Sequence, residues 1–353
     1  MHSQINLQID LEPCYAFPPM STISKVAERA GVSRTTVSHV INHPDRISKS
    51  LRERVQAAID ELGYAPNPQA KSLRTGRTNL VAMLIPDIRN PFYPELVKTA
   101  QSALEVVGRD TLVFNTDVPG GHSQEHGREY LRQVKMKRVD GLIVGDFALH
   151  GIHDALLNLD IPTVFIGHLP NHAVDSVKLD DFGGGYLIGN HLATKGHKRI
   201  AHVTGPSIFK EAMARADGFE QALIDNGVGI SPGLRYEGSY LPPSGREAAR
   251  WLMGFKDKDR PTAVFFANYL MAMGALTEFH DRGVRVPDDI ALAIFDDLPQ
   301  LEYVRPRLTR AGKSPAVLAQ RATEMLLERL TGRFTGPPRT EVIPCVLQVF
   351  ESA

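Results

Sequence analysis

The stretch that decides the fold of the N-terminal module is TISKVAERAGVSRTTVSHVIN, at residues 22–42. Its first part places apolar residues at i, i+3, i+4 and i+7, namely Ile23, Val26, Ala27 and Ala30. This spacing predicts one amphipathic helix, with Ser21 or Thr22 as its N-cap. Gly31 suits the left-handed position after a helix, and Ser33 can cap a second one. Two short helices joined by a tight turn that contains glycine predict a helix-turn-helix.

The second helix has two chemically different faces. Its inward face carries Val37, Val40 and Ile41. Its outward face carries short hydrogen-bonding side chains, one cation and one imidazole: Arg34, Thr35, Thr36, Ser38, His39 and Asn42. Such a face suits base edges and phosphates in a major groove of DNA, although the helices alone would also fit a small helical bundle. A third amphipathic helix is expected next, with Ser50 as its cap and Gly63 at its end.

The charge distribution favours an anionic partner for this module. Residues 21–78 contain ten Lys and Arg against five Asp and Glu, a net charge of +5 in a chain whose total is zero. The remainder of the chain is therefore mildly acidic. A basic module on an acidic body is typical of nucleic-acid binding, but the charge is a weak indication when taken alone.

From residue 79 onward, short apolar strands alternate with helices. The predicted strands are 80–86, 111–116, 141–145, 163–167, 176–180, 200–205, 235–240, 262–268 and 290–296. The predicted helices are 94–107, 125–137, 183–195, 211–226, 244–253 and 269–282. Nearly continuous apolar strands between helices predict parallel sheets that are covered on both faces. Two sets of such units predict two doubly wound lobes, with a ligand at the carboxyl ends of their strands.

Composition excludes several classes of protein. Two cysteines, Cys14 and Cys345, cannot form a disulfide framework or a four-ligand zinc site. No apolar run approaches the length of a membrane span, so we expect no membrane association. Residues 1–20 lack a basic start and a continuous apolar core, and we interpret them as a loosely ordered extension and not as a secretory leader. A cytoplasmic location is the resulting expectation.

Residues 22–78 as a whole resemble the DNA-binding domain of the LacI/GalR family of transcription regulators, and SRTTVSHVIN is most similar to its purine-repressor branch. The resemblance implies base contacts by Arg34, Thr35 and His39. It places four further residues against phosphates: Thr22, Ser33, Thr36 and Asn42. It also implies a hinge helix in which Leu73 wedges into the minor groove. Lys71 stands where the family usually has arginine. Lysine keeps the positive charge but lacks the planar guanidinium that can form two parallel hydrogen bonds.

The body resembles the periplasmic-binding-protein-like effector domain of the same family over nearly its whole length. The motifs that carry the resemblance include IPDIRNPFYPEL, VDGLIVG, RADGF, RPTAVFFANYLMAMGAL and VPDDIALAIFDD. The resemblance implies that Arg215 clamps an effector and that Asn268 and Asp296 hydrogen-bond it. It places aromatic residues around the same site: Phe92 and Tyr93 at the cleft mouth, Phe209, Phe265 near a ring-stacking position, and Tyr269. Core packing remains the alternative interpretation of Phe209, Phe265 and Tyr269.

The sequence also departs from the family pattern. Tyr269 replaces the acid that usually follows the asparagine, and Gly167 stands where several sugar-binding relatives have an aspartate. Phe209 and Glu211 occupy positions of polar purine contacts in the purine repressor. These departures disfavour a purine effector. Arg215, Asn268 and Asp296 favour a polar ligand that carries hydroxyl groups, and the family resemblance implies a sugar or sugar derivative.

Other motifs carry no catalytic or metal chemistry. Gly183, Gly184, Gly185 and Gly189 do not have the spacing of a dinucleotide-binding loop, and we interpret them as a loop and helix start. His191, His197 and His202 have no Cys or acid at ligand spacing, so no metal site is expected. The sequence contains no nucleophile elbow and no Walker A loop, and no enzyme activity or cofactor is expected.

The sequence therefore predicts a homodimeric transcription regulator of the repressor type, which binds a pseudo-palindromic operator under the control of a small molecule. The predicted domains are an extension (1–20), a helix-turn-helix domain (21–66), a hinge helix and linker (67–78) and an effector-binding and dimerisation domain (79–353). Within the last, the first lobe is expected at about 79–181 and 312–340, and the second at about 182–308 and 341–353. The alternative is a solute-binding protein for transport, which residues 79–353 alone would permit.

Overall fold

A computed structural model describes residues 21–65, 77–116, 124–145, 155, 159–169, 173–229 and 231–353. The chain divides into two compact units between Thr78 and Asn79. The predicted extension at 1–20 and the predicted hinge residues Lys71 and Leu73 lie outside the described residues.

The N-terminal unit is helical. It contains α1 (Ile23–Ala30), α2 (Arg34–Asn42) and α3 (Lys49–Leu62). Val26, Val37 and Val55, one from each helix, are fully buried together. Gly31 follows α1 with φ +63°, a conformation that glycine adopts without steric cost. Helix α3 begins one residue before the predicted cap: Ser48 precedes it, so the assignment of Ser50 as the N-cap was wrong.

The larger unit consists of two parallel sheets covered by helices. Its strands are β1 (Leu80–Ile85), β2 (Asp110–Asn115), β3 (Gly141–Gly145), β4 (Thr163–Ile166), β5 (Asp175–Leu179), β6 (Ile200–Thr204), β7 (Arg235–Glu237), β8 (Ala263–Phe266), β9 (Ala291–Phe295), β10 (Thr309–Gly312), β11 (Thr340–Ile343) and β12 (Val346–Gln348). Its helices are α4 (Phe92–Val106), α5 (Gln124–Lys137), α6 (Asp181–Thr194), α7 (Lys210–Asp225), α8 (Pro242–Met253), α9 (Tyr269–Asp281) and α10 (Pro315–Leu330). The predicted fold class is confirmed.

The strand order defines two lobes that the chain crosses three times. The first sheet has the order β11-β5-β4-β3-β1-β2 and the second β12-β10-β9-β8-β6-β7. Only β10 and β12 pair antiparallel among the described strands. The crossings follow β5, β10 and β11. Because β11 pairs with β5, residues 341–343 belong to the first lobe, and the third crossing comes after Ile343 instead of after residue 340.

The glycines around residue 185 have a packing role. Helices α6 and α7 lie so close that a Cβ on Gly185 would come 2.1 Å from the carbonyl oxygen of Arg215. A Cβ on Gly218 would come 2.0 Å from the carbonyl oxygen of Phe182. Contacts this short do not occur in proteins, so glycine is required where the two backbones meet. This contact fixes α7, which carries Arg215.

We expect Gly185→Ala to destabilise the larger unit by about 3 kcal/mol or more, because backbone atoms cannot rotate away as a side chain can. Urea denaturation of the variant and of the wild type measures the difference. Gly229→Ala is the matched control, since a Cβ at that position would have no heavy atom within 4 Å. Equal stability of Gly185→Ala and Gly229→Ala would contradict the close helix contact.

Candidate nucleic-acid interface and effector cavity

Helix α2 presents its predicted base-reading residues to solvent. Arg34, Thr35 and His39 are exposed, while Val37 and Val40 on the opposite face are buried. The helix begins at Ser33, whose Oγ accepts a hydrogen bond from the Thr36 amide at 3.1 Å. The cap and the apolar face therefore hold this helix in place and leave its outward side chains available to a partner.

The four residues predicted to contact phosphates make local bonds within the N-terminal unit. Thr22 caps α1, and the Oγ of Ser33 lies 2.9 Å from the Oγ1 of Thr36. The Asn42 amide donates to the carbonyl oxygen of Ser38 at 2.6 Å. Thr22 and Ser33 are exposed, whereas Thr36 and Asn42 are half-buried. These bonds place the four residues at helix ends; their contacts with DNA remain a prediction.

A cavity of about 340 Å³ lies between the two lobes, at the carboxyl ends of their strands. Its lining comprises Pro86, Asp87, Arg89, Asn90, Phe92, Tyr93, Ile166, Gly167, His168, Leu179, Asp181, Phe209, Glu211, Arg215, Ser239, Tyr240, Leu241, Asn268, Leu270, Asp296 and Leu318. Six of the eight residues predicted for the effector site belong to it: Phe92, Tyr93, Phe209, Arg215, Asn268 and Asp296. The structure thus brings most of the predicted site together.

Arg215 is anchored in the cavity by several partners. Its Nε donates to Asp181 at 2.8 Å, and its Nη1 donates to the carbonyl oxygen of Ala267 at 2.8 Å. Its guanidinium lies 3.7 Å from the centre of the Phe295 ring. Burial disfavours the charge, but nearby carboxylates, above all Asp181, outweigh it and raise the pKa of Arg215. Arg215 is therefore a fixed cation, and Nη2 has no acceptor among the described residues.

Asp296 and Asn268 follow neighbouring strands and are fixed by α9. The Asp296 Oδ2 accepts a hydrogen bond from the amide of Tyr269 at 2.8 Å. Burial raises the pKa of Asp296 to about 6, despite the opposing charge of Arg215. Asn268 caps α9 through the Met271 amide and donates to the carbonyl oxygen of Tyr240 at 2.9 Å. Both the oxygen and the nitrogen of the Asn268 side chain thus bond to the protein, and its contact with an effector stays a prediction.

Two predicted residues are not brought to the cavity. Phe265 is fully buried in β8, where its ring stacks on His202 with the centroids 4.5 Å apart. Tyr269 is half-buried and does not line the cavity; its backbone amide supports Asp296. Their assignment to the effector lining was therefore wrong, because Phe265 points into the sheet-helix core and Tyr269 begins the helix behind the site.

The imidazole of His202 is an unusual part of this core. It is fully buried between Phe219 and Phe265, and within the described part of the chain neither ring nitrogen has a hydrogen-bond partner. Burial lowers the pKa of His202 to about 3. The unfolded chain therefore binds more protons than the folded chain between about pH 3 and 6.5, and stability is lost as the pH falls through this range.

We expect His202→Leu to remove this acid sensitivity. The stability of the variant minus that of the wild type, each measured as the free energy of unfolding, should be about 3 kcal/mol larger at pH 4 than at pH 7. Urea denaturation at the two pH values measures this difference, with the exposed His280→Leu as control. Parallel pH profiles for wild type and His202→Leu would show that the histidine is not held neutral.

Several polar residues of the cavity were not predicted from the sequence. Asp181 is buried at the first crossing between the lobes, where it also bonds to His168 at 2.9 Å. Tyr240 lies after β7 with φ +64°, and its ring stacks on Phe209 at a centroid distance of 6.3 Å. Both Asp181 and His168 lie two residues past the end of a strand, so the rule that ligands bind at the carboxyl ends of strands could have found them. Nothing in the sequence signals the left-handed conformation of Tyr240.

Fold and site together define a class of protein: a regulator that joins a helix-turn-helix to a ligand sensor of the periplasmic-binding-protein type. The profile of "Bacterial regulatory proteins, lacI family" matches residues 22–67, and that of "Periplasmic binding protein-like domain" matches residues 190–351. The HTH-type transcriptional repressor PurR of Haemophilus influenzae is 33% identical over 320 residues, which cover 90% of this chain and 93% of the relative. The chain therefore belongs to the LacI family.

Solved structures agree with this assignment. The complex of the transcriptional regulator CelR with cellobiose has a TM-score of 0.69 and 31% identity, covering 94% of this chain and 100% of that one. A Lac repressor dimer, bound to operator and the anti-inducer ONPF, has a TM-score of 0.82 and 27% identity, covering 94% and 99%. These relatives are transcription regulators and not enzymes, in agreement with the prediction that this chain is not an enzyme. They do not favour the alternative of a solute-binding protein for transport.

The described residues lack two further features. They contain no helix that combines the length and apolar character needed to cross a membrane. They also contain no cluster of three or more His, Cys, Asp or Glu side chains that could hold a metal ion.

Proposed function

We propose that this protein is a homodimeric repressor of the cytoplasm whose affinity for a pseudo-palindromic operator is set by a sugar or sugar derivative in the cavity. The observation that carries the proposal is the presence, in one LacI-family chain, of an exposed recognition face on α2 and a polar, aromatic-lined cavity between two lobes. A helix-turn-helix contacts only a half-site, so two copies related by a two-fold axis are needed for a full operator.

On the DNA side, the exposure of Arg34, Thr35 and His39 supports their role as base-contacting residues. Arg34 can form a bidentate pair with a guanine. Thr22, Ser33, Thr36 and Asn42 would set the register on phosphates, and Lys71 and Leu73 would act in the minor groove. The Lac repressor dimer of similar fold is bound to operator, which supports the same type of partner for this chain.

On the effector side, the chemistry of the cavity supports a hydroxylated ligand. Aromatic rings of Phe92, Phe209 and Tyr240 offer flat apolar surfaces, while Arg215 and Asp296 offer a donor and an acceptor. A site of this kind, apolar with few placed polar groups, is typical of small-molecule recognition. The cellobiose in the CelR complex is a sugar bound by a relative, which supports the same ligand class. The effector would act by binding one lobe arrangement more tightly than the other.

A two-stage measurement tests this function. A thermal-shift screen of the full-length protein against sugars, sugar acids and nucleosides identifies a ligand. Fluorescence anisotropy with a labelled operator then measures DNA affinity with and without it. We expect a sugar to stabilise the protein and to change operator affinity in one direction; stabilisation by nucleosides alone would contradict the sugar assignment.

A further inference from the structure

Asp296 has a backbone conformation that its neighbours must hold. Its φ of +124° lies in a region that residues with a Cβ rarely adopt, and such a conformation persists only where surrounding contacts maintain it. Its amide donates to the carbonyl oxygen of Ala311 at 3.1 Å. A Cβ on Gly312 would come 3.0 Å from the carbonyl carbon of Asp296, so β10 lies close against this backbone. Strand β10 is therefore one of the elements that maintain the strain.

The next residue, Asp297, is held by an arginine of β10. The Nε of Arg310 donates to the Oδ1 of Asp297 at 3.1 Å. Its Nη2 donates to the Oε1 of Glu302 and to the Oε1 of Gln348, at 2.9 Å each. The side chain of Arg310 is 4% exposed, and its guanidinium lies 4.7 Å from the centre of the Phe350 ring. Because several acceptors and a ring fix this planar cation, it fixes Asp297 in turn.

Arg310 lies where two connections between the lobes meet the second sheet. One connection leaves β10 after Gly312, and the other enters β12, in which Gln348 stands opposite Arg310. Neither Arg310 nor Asp297 belongs to the cavity lining, whereas Asp296 does. Arg310 therefore acts on the cavity from outside, through the residues that it contacts.

The side chain of Asp296 links this strand to α9. Its Oδ2 accepts a hydrogen bond from the amide of Tyr269, the first residue of α9, at 2.8 Å. If the backbone of Asp296 relaxed to an ordinary extended conformation, the carboxylate would turn away from this amide. The amide of Tyr269 is therefore a reporter of the conformation of Asp296.

We propose that Arg310 is a positioning residue of the effector cavity: it anchors Asp297 and thereby keeps the Asp296 carboxylate in the cavity lining and on the Tyr269 amide. The inference rests on the proposed function and adds a residue that lies outside the cavity. Loss of Arg310 removes a charge-assisted hydrogen bond from Asp297, and the strained conformation of Asp296 then loses one of its supports.

Hydrogen exchange of single backbone amides tests the positioning in the full-length protein without any ligand. The amide of Ala267, which donates to the carbonyl oxygen of Val203 at 2.9 Å, is the reference in the same lobe. We expect Arg310→Ala to raise the exchange rate of the Tyr269 amide by about tenfold or more relative to that of Ala267. A general loss of stability would raise both rates alike. An unchanged ratio of the two rates would overturn the proposal.

Two further variants make the test specific. Asp297→Ala breaks the same link from the other side and should raise the ratio by a similar factor; it decides the question if Arg310→Ala does not fold. Arg307→Ala is the matched control, because Arg307 is 43% exposed, pairs with Glu351 and lies 5.0 Å from the same Phe350 ring. It should leave the ratio unchanged. An unchanged ratio in Asp297→Ala, or an equal rise in Arg307→Ala, would overturn the role of Arg310.

Titration calorimetry with glucose, ribose and cellobiose tests the consequence for the cavity. A sugar that binds the wild type should bind Arg310→Ala about fivefold or more weakly, because the site is no longer preorganised, and should bind Arg307→Ala as it binds the wild type. Equal affinity for wild type and Arg310→Ala would overturn the role in the effector cavity. If no sugar bound the wild type, the proposed sugar function would be contradicted, and the exchange ratio would still decide whether Arg310 positions Asp296.

Discussion

Arg215→Ala is expected to abolish the response to the effector while specific DNA binding persists. The guanidinium of Arg215 is fixed by a carboxylate and by a carbonyl oxygen, and its Nη2 remains available to a ligand oxygen. Its loss removes the fixed cation opposite Asp296. Anisotropy titrations of labelled operator, with and without the effector found by the screen, measure the response.

The variant also has a predictable cost in stability. Asp181 is 4% exposed, and without Arg215 its carboxylate keeps, among the described side chains, only the contact with the His168 imidazole. Leaving a buried charge uncompensated costs about 3–5 kcal/mol, so urea denaturation should show a less stable protein that still folds. Arg285→Ala is the control, because Arg285 is 68% exposed and pairs with Asp289 at the surface. A normal effector response in folded Arg215→Ala protein would show that the cavity is not the effector site.

Arg34→Ala is expected to reduce the discrimination between operator and random DNA. A bidentate contact between arginine and guanine contributes about 1–3 kcal/mol, which is roughly five- to 150-fold in the ratio of affinities. The module should stay folded, since Arg34 is exposed and the core of Val26, Val37 and Val55 is untouched. Competition binding with operator and scrambled duplexes measures the ratio.

Arg54→Ala separates sequence recognition from charge. Arg54 is exposed on α3, in the same basic module. Loss of this charge should weaken binding to operator and to random DNA alike, because both present the same phosphates. The ratio of the two affinities should therefore change little. If Arg34→Ala and Arg54→Ala changed the ratio equally, α2 would not be the recognition helix.

Periodicity was sufficient to predict the elements that bury one continuous face. The i, i+3, i+4, i+7 pattern of α1 and the apolar runs that became β1, β3 and β9 correspond to buried cores. Strands β10, β11 and β12 were not predicted, because they are three or four residues long and two of them are only partly buried. Their assignment depends on pairing with distant strands, which a single sequence does not display.

The same limit applies to the cavity. Arg215 and Asp296 were predicted from the family resemblance, and both line the cavity. Phe265 was assigned wrongly because the face of a fully buried strand cannot be deduced from a continuous apolar run. Tyr240 was missed because its position depends on a left-handed backbone and on Gly205. Such features come from tertiary packing and not from local pattern.

The most direct test of the central claim is selection of DNA by the full-length protein from a pool of random duplexes, followed by measurement of Kd for the enriched sequence and for a scrambled one at physiological salt. The account predicts an enriched pseudo-palindrome that binds tighter than the scrambled duplex by about 10³-fold or more. Equal affinity for both duplexes, with and without the effector candidates, would contradict it.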